Sequence, residues 1–154
     1  MKVIMDADCL IKLTKAQIKE DVCNAFEVIV PSKVCREIMV NASMHPESLV
    51  IQKNMGSGKL NEVAEYQRAE KGEGAVLSLY QGGGYAGVAS DDKRFINRLK
   101  ILGVPYITPA VFIFLLAKRK YIMIDEAFAK LENLSHLVSD DEVSIVKLKL
   151  EALK

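Results

Sequence analysis

Short apolar runs rich in β-branched residues recur along this chain and alternate with helical patterns. The runs cover residues 2–5, 26–30, 85–89 and 104–107, and each is too short for a buried helix. Strands that alternate with helices in this way predict a parallel sheet with helices on both of its faces. We therefore expect a three-layer α/β/α architecture around a central parallel sheet of about four to five strands.

The segments between the strands carry helix signals. Asp8 is a candidate N-cap, Thr108-Pro109 opens a helix, and residues 139–142 (SDDE) form a capping-box pattern. Residues 41–58 give the most ambiguous secondary-structure pattern, in which 47–55 is either helical or irregular. The predicted helices span residues 9–20, 32–40, 60–70, 73–81, 91–102, 108 onward, 125–134 and 139–152.

Composition indicates an ordinary globular domain. The chain has 154 residues, of which 50% are hydrophobic and 27% charged, and its formal net charge is +1. A charge this small gives no global attraction to nucleic acid, so any polyanion binding needs local patches or metal ions. We expect a single domain covering 1–154, with a core at 1–107 and a C-terminal helical extension at 108–154.

Cysteine usage and hydropathy favour a reducing cytoplasm. The three cysteines form no CxxC pair and leave an odd one over, and no signal peptide is evident. The longest apolar run, residues 111–117, is about a third of the roughly 20 residues that a membrane-spanning helix needs. We expect a soluble cytoplasmic protein.

Acidic residues follow the strands at positions where open α/β sheets present functional groups. Asp6 and Asp8 come directly after the first strand, and Asp91 and Asp92 follow the strand at 85–89. Because parallel strands end at one edge of a sheet, these side chains can approach each other across about eighty residues. Two further acids lie in neighbouring helical segments, Glu37 and Glu73.

A cluster of carboxylates of this kind points to metal chemistry. The groups repel one another unless a cation or a proton lies between them. Hard oxygen ligands suit Mg²⁺ or Mn²⁺, which can activate a water and stabilise the leaving oxygen of a phosphodiester. The alternative is structural: Asp91 as an N-cap, and Glu37 and Glu73 as solvated surface groups.

Basic side chains surround the proposed crevice. Helical segments after Asp6 and Asp92 carry candidate phosphate contacts, namely Lys12, Lys15, Lys93 and Arg94. Solvated helix faces with mixed charge explain these residues equally well.

Four motifs in a fixed order resemble the PIN domain, the nuclease fold of VapC-type toxins and many RNA-processing enzymes. The motifs are VIMDADCLI at 3–11, VPSKVCRE at 30–37, GEGA at 72–75 and ASDDKRF at 89–95. The resemblance covers about two-thirds of the chain, through Ile107. It implies a PIN-like, Rossmann-like fold and a Mg²⁺- or Mn²⁺-dependent endoribonuclease that leaves a 5′-phosphate and a 3′-hydroxyl.

The resemblance also implies roles for individual residues. Its catalytic and metal-binding quartet corresponds to Asp6, Glu37, Glu73 and Asp92, with Asp91 as an adjacent metal candidate. Ser90 is expected to hydrogen-bond a metal-ligating carboxylate without binding the metal itself. Asp8 occupies a position that usually holds serine or threonine in the family. The implied partners are an RNA substrate, a second copy of the chain in a homodimer, and a small antitoxin protein if the chain is a toxin.

Two other functions compete with this interpretation. Asp6-Ala7-Asp8 after a strand also resembles haloacid-dehalogenase-type phosphatases, in which Asp6 would be the nucleophile. Cys9 replaces that family's usual threonine or valine, and Glu37 would have no role there. A non-catalytic interaction module is the third reading, with the acids serving only as caps.

Overall fold

The computed structural model describes residues 1–40, 60–63 and 72–154, with only the backbone of residues 39, 40 and 63. Five strands occur in these ranges: β1 (Lys2–Met5), β2 (Glu27–Pro31), β3 (Asn61–Val63), β4 (Gly87–Ala89) and β5 (Tyr106–Ile107). The helices of the same ranges are α1 (Ala7–Lys15), α2 (Lys19–Ala25), α3 (Ser32–Val40), α4 (Gly72–Gln81), α5 (Lys93–Ile101), α6 (Pro109–Lys118), α7 (Ile124–Leu134) and α8 (Asp140–Glu151).

The strands form one parallel sheet in the order β3-β2-β1-β4-β5. In the central strand Val3 pairs with Val28 on one side and with Gly87 on the other. The apolar residues of β1 are fully buried, as expected for a strand with helices on both faces. The predicted α/β architecture with a parallel sheet is confirmed.

The strand order creates a crevice beside β1. The chain runs from β1 outward through β2 and β3, and then returns to place β4 and β5 on the other side. Connections that leave neighbouring strands in opposite directions open a gap at the carboxyl ends of those strands, which here are β1 and β4. The residues directly after these two strands therefore face a common space.

Helices flank the sheet and share its core. Helix α4 packs on β1, β2 and α3, whereas α6 packs on α1, α2, α7 and α8. Phe112 of α6 meets Phe26 edge-on, with ring centroids 5.2 Å apart. The C-terminal helices thus contribute buried residues to the same apolar cluster as the first strands. No helix in the described part of the chain is long and apolar enough to cross a membrane.

The first helical segment differs from the prediction. One helix was expected at 9–20, but α1 ends near Ala16 and α2 begins at Lys19. Gln17 has a φ of 58°, and the amide of Ile18 bonds the carbonyl of Leu13 at 2.9 Å, which is a Schellman-type termination. Because no glycine marks this turn, the sequence pattern did not reveal it.

The N-cap of α1 was also assigned wrongly. The expected cap was Asp8, but Asp6 caps the helix and Asp8 lies in its first turn. Likewise Asp92, rather than Asp91, caps α5. One residue, Asp6, separates β1 from α1, whereas Ser90 and Asp91 separate β4 from the cap of α5.

Part of the predicted helix at 60–70 is a strand. Asn61–Val63 forms β3 at the edge of the sheet, with Asn61 paired to Ile29. Pairing with β2, a contact distant in sequence, overrides the local helical pattern at these three residues. The rest of that prediction, at 64–70, and the one at 47–55 lie outside the described residues.

Gly87→Ala is expected to destabilise the fold. A β-carbon at Gly87 would lie 2.8 Å from the carbonyl oxygen of Pro105, which accepts the 2.9 Å hydrogen bond from Val88. Since the nearest atom is backbone, the β4–β5 pairing must shift, at a cost of about 1–3 kcal/mol in the free energy of unfolding. Urea unfolding followed by circular dichroism measures this loss. Gly82→Ala, an exposed control, should lose less, and equal losses would contradict the argument.

Candidate active site

Asp6 lies at the carboxyl end of the central strand with both carboxylate oxygens engaged. Its Oδ1 accepts a 2.8 Å hydrogen bond from the amide of Cys9 and so caps α1. Its Oδ2 accepts a hydrogen bond from the hydroxyl of Ser90, at the end of the neighbouring strand. Asp6 is only 9% exposed and Ser90 is fully buried. The carboxylate is thus held in one orientation by two structural elements.

Asp92 repeats this arrangement after β4. Its Oδ1 accepts a 2.9 Å hydrogen bond from the amide of Phe95 and caps α5. The amide of Asp92 donates to the oxygen of Ser90 at 3.2 Å. Ser90 therefore connects the Asp6 side chain with the backbone of Asp92, and this bond fixes the relative positions of the two acids.

Glu37 and Glu73 approach the crevice from α3 and α4. The amide of Gly72 donates a 3.0 Å hydrogen bond to Glu37 Oε1, and Glu73 follows in the first turn of α4. A β-carbon at Gly72 would lie 2.7 Å from Glu37 Oε2. Only glycine therefore allows the Glu37 carboxylate to rest against this helix N-terminus, where the helix dipole favours negative charge.

These four acids line one cavity of about 320 Å³, which we call the acidic cavity. Its other described lining residues are Ala7, Asp8, Val34 and Gly72, and none of the lining residues is basic. The structure thus brings together four acids that are far apart in the sequence, Asp6, Glu37, Glu73 and Asp92. Asp8 lines the same cavity.

Asp91 is not among the residues that line the acidic cavity and instead contacts Lys12. Lys12 forms an ion pair with Asp91 and a second one, at 3.1 Å, with Asp8. Burial alone would lower the pKa of Lys12, but the hydrogen bonds with Asp91 and Asp8 outweigh it and raise that pKa. Lys12 therefore remains an ammonium ion that holds α1 against the loop after β4. The other candidate RNA contacts, Lys15, Lys93 and Arg94, have exposed side chains.

Burial raises the pKa of Asp6 from 3.8 to about 7. The hydrogen bonds from Ser90 and Cys9 oppose this rise, whereas the negative charges of Asp8 and Asp92 add to it. An ionised Asp6 is thus costly without a cation, because it is desolvated and faces other carboxylates.

The donor chemistry of the acidic cavity fits a hard divalent cation. Five carboxylates and no basic group line it in the described part of the chain, and carboxylate oxygen is the donor that Mg²⁺ and Mn²⁺ prefer. Within residues 1–40, 60–63 and 72–154, no three acidic, histidine or cysteine side chains lie close enough to form a ready-made metal-binding group. The residues fit the ion by chemistry and by placement in one cavity.

Two contacts at the site were not anticipated from sequence. The hydrogen bond from the amide of Gly72 to Glu37 joins residues 35 positions apart, and no local sequence pattern indicates it. Glu142 was considered only as part of a capping box, in which Ser139 does accept a 3.3 Å hydrogen bond from the amide of Glu142. The Glu142 carboxylate, however, accepts from the amide of Ala110 at 2.8 Å and lies beside Asp91.

The chain is similar to known proteins at the level of a family model and of a solved structure. A family model described as PIN domain matches residues 2–151. Among solved structures, the chain is similar to a PilT N-terminus domain protein from the hyperthermophilic archaeon Sulfolobus solfataricus P2. Sequence identity is 14%, the match covers 73% of this chain and 90% of that chain, and the TM-score is 0.45. No curated protein matches the chain.

Asp6→Asn should stabilise the metal-free protein at high pH. Between pH 4 and about 7 the unfolded chain has released the Asp6 proton while the folded protein retains it, so unfolding free energy falls as pH rises. Asparagine also caps helices and lacks this titration. The unfolding free energy of the variant, relative to that of wild type, should rise by on the order of 2–4 kcal/mol between pH 4 and pH 8.

Urea unfolding in EDTA at both pH values measures this gain. The control is Asp125→Asn, which removes one carboxylate at an exposed position in the first turn of α7 instead of a buried one. A pH-independent difference for Asp6→Asn would contradict the burial argument.

Gly72→Ala should weaken metal binding without unfolding the protein. The added methyl group displaces the end of the Glu37 side chain, which can swing away, while no backbone atom is among the three nearest contacts. Loss of an orienting contact typically costs 10–100-fold in metal affinity. Isothermal titration with Mn²⁺ measures the change, and Gly82→Ala at the other end of α4 is the control. Unchanged affinity would show that Glu37 does not contribute to the ion site.

Proposed function

Because this chain belongs to the PIN domain family, we propose that it is a divalent-metal-dependent endoribonuclease. The observation that carries the proposal is the acidic cavity, in which Asp6, Glu37, Glu73 and Asp92 come together with no basic lining residue among those described. Such a cavity repels an RNA phosphate unless a cation is present, so its chemistry favours a metal-dependent reaction over simple anion binding.

Asp6 and Asp92 are the residues most directly placed to hold Mg²⁺ or Mn²⁺, and Glu37 and Glu73 complete the set. A bound ion of this type supplies a water of lowered pKa and neutralises charge on the leaving oxygen of a phosphodiester. The contribution of the chain is to hold its oxygen donors in place before the substrate arrives.

Three hydrogen bonds give the site its rigidity. The caps from Cys9 to Asp6 and from Phe95 to Asp92 fix one oxygen of each carboxylate, and Ser90 fixes the second oxygen of Asp6. Ligands locked in this way need no reordering when an ion or a substrate binds, which preserves affinity and rate. We assign Ser90 the role of a positioning residue.

The surrounding side chains favour a reaction without a protein nucleophile. Cys9 is fully buried, and burial together with the nearby Asp6 raises its pKa well above the usual value, so the thiol stays protonated. The phosphatase alternative, which would use Asp6 as a nucleophile, gives Glu37 no role, although Glu37 lines the same cavity as Asp6. Attack by water fits these constraints.

Exposed cations near Asp92 are suited to hold the RNA backbone. Lys93 and Arg94 are exposed in the first turn of α5, and Lys15 is exposed at the end of α1. We assign Lys93 and Arg94 the phosphate contacts, since Lys12 is already paired with Asp8 and Asp91 and Lys15 lies at the end of α1 that is far from Asp6. The family resemblance further suggests a homodimer and a small antitoxin that covers the acidic cavity, which size-exclusion chromatography with light scattering would detect.

Asp6→Asn is expected to abolish RNA cleavage. A labelled RNA pool is incubated with wild type or variant in Mn²⁺, Mg²⁺ or EDTA, and products are mapped at both ends. Wild type should cleave only with metal and leave 5′-phosphates, whereas the variant should be at least ~100-fold slower because a central oxygen donor is lost. Asp125→Asn should cleave like wild type. Cleavage in EDTA, or full activity of Asp6→Asn, would refute the proposal.

A further inference from the structure

Lys12 lies between two carboxylates that line different cavities. Its ammonium group forms an ion pair with Asp8 at 3.1 Å, one turn earlier in α1, and another with Asp91 in the loop after β4. Asp8 lines the acidic cavity, whereas Asp91 lines a neighbouring cavity of about 300 Å³. One ammonium group therefore contacts an acid of each cavity.

The aspartates at this edge of the sheet fall into two groups according to their partners. Asp8 and Asp91 are each paired with a cation. Asp6 and Asp92, in contrast, accept hydrogen bonds from uncharged amide and hydroxyl groups. Among these four aspartates, the negative charge that no side chain offsets is therefore that of Asp6 and Asp92, where a divalent cation is most strongly attracted.

Asp8 adds a charge that acts on the acidic cavity. Its negative charge is close enough to Asp6 to contribute to the raised pKa of that carboxyl group. The family pattern usually has serine or threonine at the position of Asp8, so this carboxylate needs an explanation of its own. Lys12 offsets the charge from four positions further along the same helix, which places both side chains on one helix face.

The contacts of Lys12 are those that a bridging metal ion would make. Its ammonium group touches one oxygen of Asp8 and one of Asp91. Two carboxylates can hold Mg²⁺ or Mn²⁺ when water completes the coordination shell, so a divalent ion would have to displace the ammonium group to bind here. Because Lys12 is attached to the same helix as Asp8, it competes at a high effective concentration.

We propose that Lys12 acts as a resident cation that excludes divalent ions from Asp8 and Asp91 and confines them to the carboxylates around Asp6 and Asp92. This inference rests on the proposed function, since it concerns the ion that the acidic cavity binds. Lys12 is a positioning residue, because it acts by setting which carboxylates remain available to the ion.

Counting bound Mn²⁺ ions tests this inference without measuring RNA cleavage. Metal-free protein is titrated with Mn²⁺, and the number of ions bound per chain is measured by calorimetry and by the electron paramagnetic resonance signal of free Mn²⁺. Lys12→Met should bind one ion more than wild type, because it leaves Asp8 and Asp91 without a counterion. If Lys12 only braced the loop, the same variant would bind an unchanged number of ions, more weakly.

Two further variants separate the charge of Lys12 from its hydrogen bonds. Lys12→Arg retains the charge and should bind the wild-type number of ions. Lys12→Gln retains hydrogen-bond donors without the charge, so it should gain the extra ion as Lys12→Met does. It also replaces Lys12→Met in the test if methionine at this position prevents folding.

The matched control is Lys15→Met, which removes a cation at an exposed position of the same helix and should bind the wild-type number of ions. The double variant that combines Lys12→Met with Asp91→Asn lacks one carboxylate of the pair and should lose the extra ion. Thermal melting in EDTA establishes that each variant is folded. Added Mn²⁺ should raise the melting temperature of Lys12→Met more than that of wild type.

Two results would overturn the inference. The first is an unchanged number of ions in the folded variants Lys12→Met and Lys12→Gln. The second is an extra ion that persists in the double variant with Asp91→Asn, because that ion would then be bound by other groups.

Cleavage of labelled RNA by the same samples separates this inference from the proposed function. An extra ion in the uncharged Lys12 variants, together with a wild type that cleaves no RNA, supports the inference and overturns the nuclease proposal. Metal-dependent cleavage by wild type, together with the same number of ions in all folded variants, overturns the inference and leaves the nuclease proposal standing.

Discussion

The hydrogen bond from the Ser90 hydroxyl to Asp6 Oδ2 joins the ends of the two strands on which the candidate site is built. Through the amide of Asp92, the same hydroxyl sets the distance between the two acids that cap α1 and α5. Each acid therefore does two things at once: it satisfies a helix N-terminus and presents a carboxylate to the crevice. The function of the site thus depends on the same bonds that begin the helices.

This dual use has a cost in stability. Asp6 is buried among other acids, and its pKa of about 7 shows that the folded chain resists its ionisation. A core built only for stability would place a neutral cap at this position. Proteins keep such unfavourable charges at functional sites, where a bound cation relieves them. The burial and mutual repulsion of the carboxylates in the acidic cavity therefore support a metal-dependent function better than any one residue does.

The adjacent residues Asp91 and Asp92 have different environments and line two different cavities. Asp92 faces the acidic cavity, whereas Asp91 is paired with Lys12 and lies beside Glu142 of the last helix. The C-terminal helices are thus connected to the loop that carries Asp91, since Glu142 of α8 lies beside Asp91 and accepts a hydrogen bond from the amide of Ala110 in α6.

The sequence by itself determined the parallel sheet and the acids at the ends of β1 and β4, because apolar periodicity and strand-end polarity are local properties. The family was indicated separately, by the resemblance of four motifs in a fixed order. It did not determine which of two neighbouring aspartates caps each helix, the break at Gln17, or the strand at Asn61–Val63, because these depend on where the sheet ends and which strand pairs with it. Only the tertiary structure brought Glu37 against Gly72 and Glu142 beside Asp91. Those contacts join residues 35 and 51 positions apart, and no local pattern can encode a distance set by the packing of whole helices.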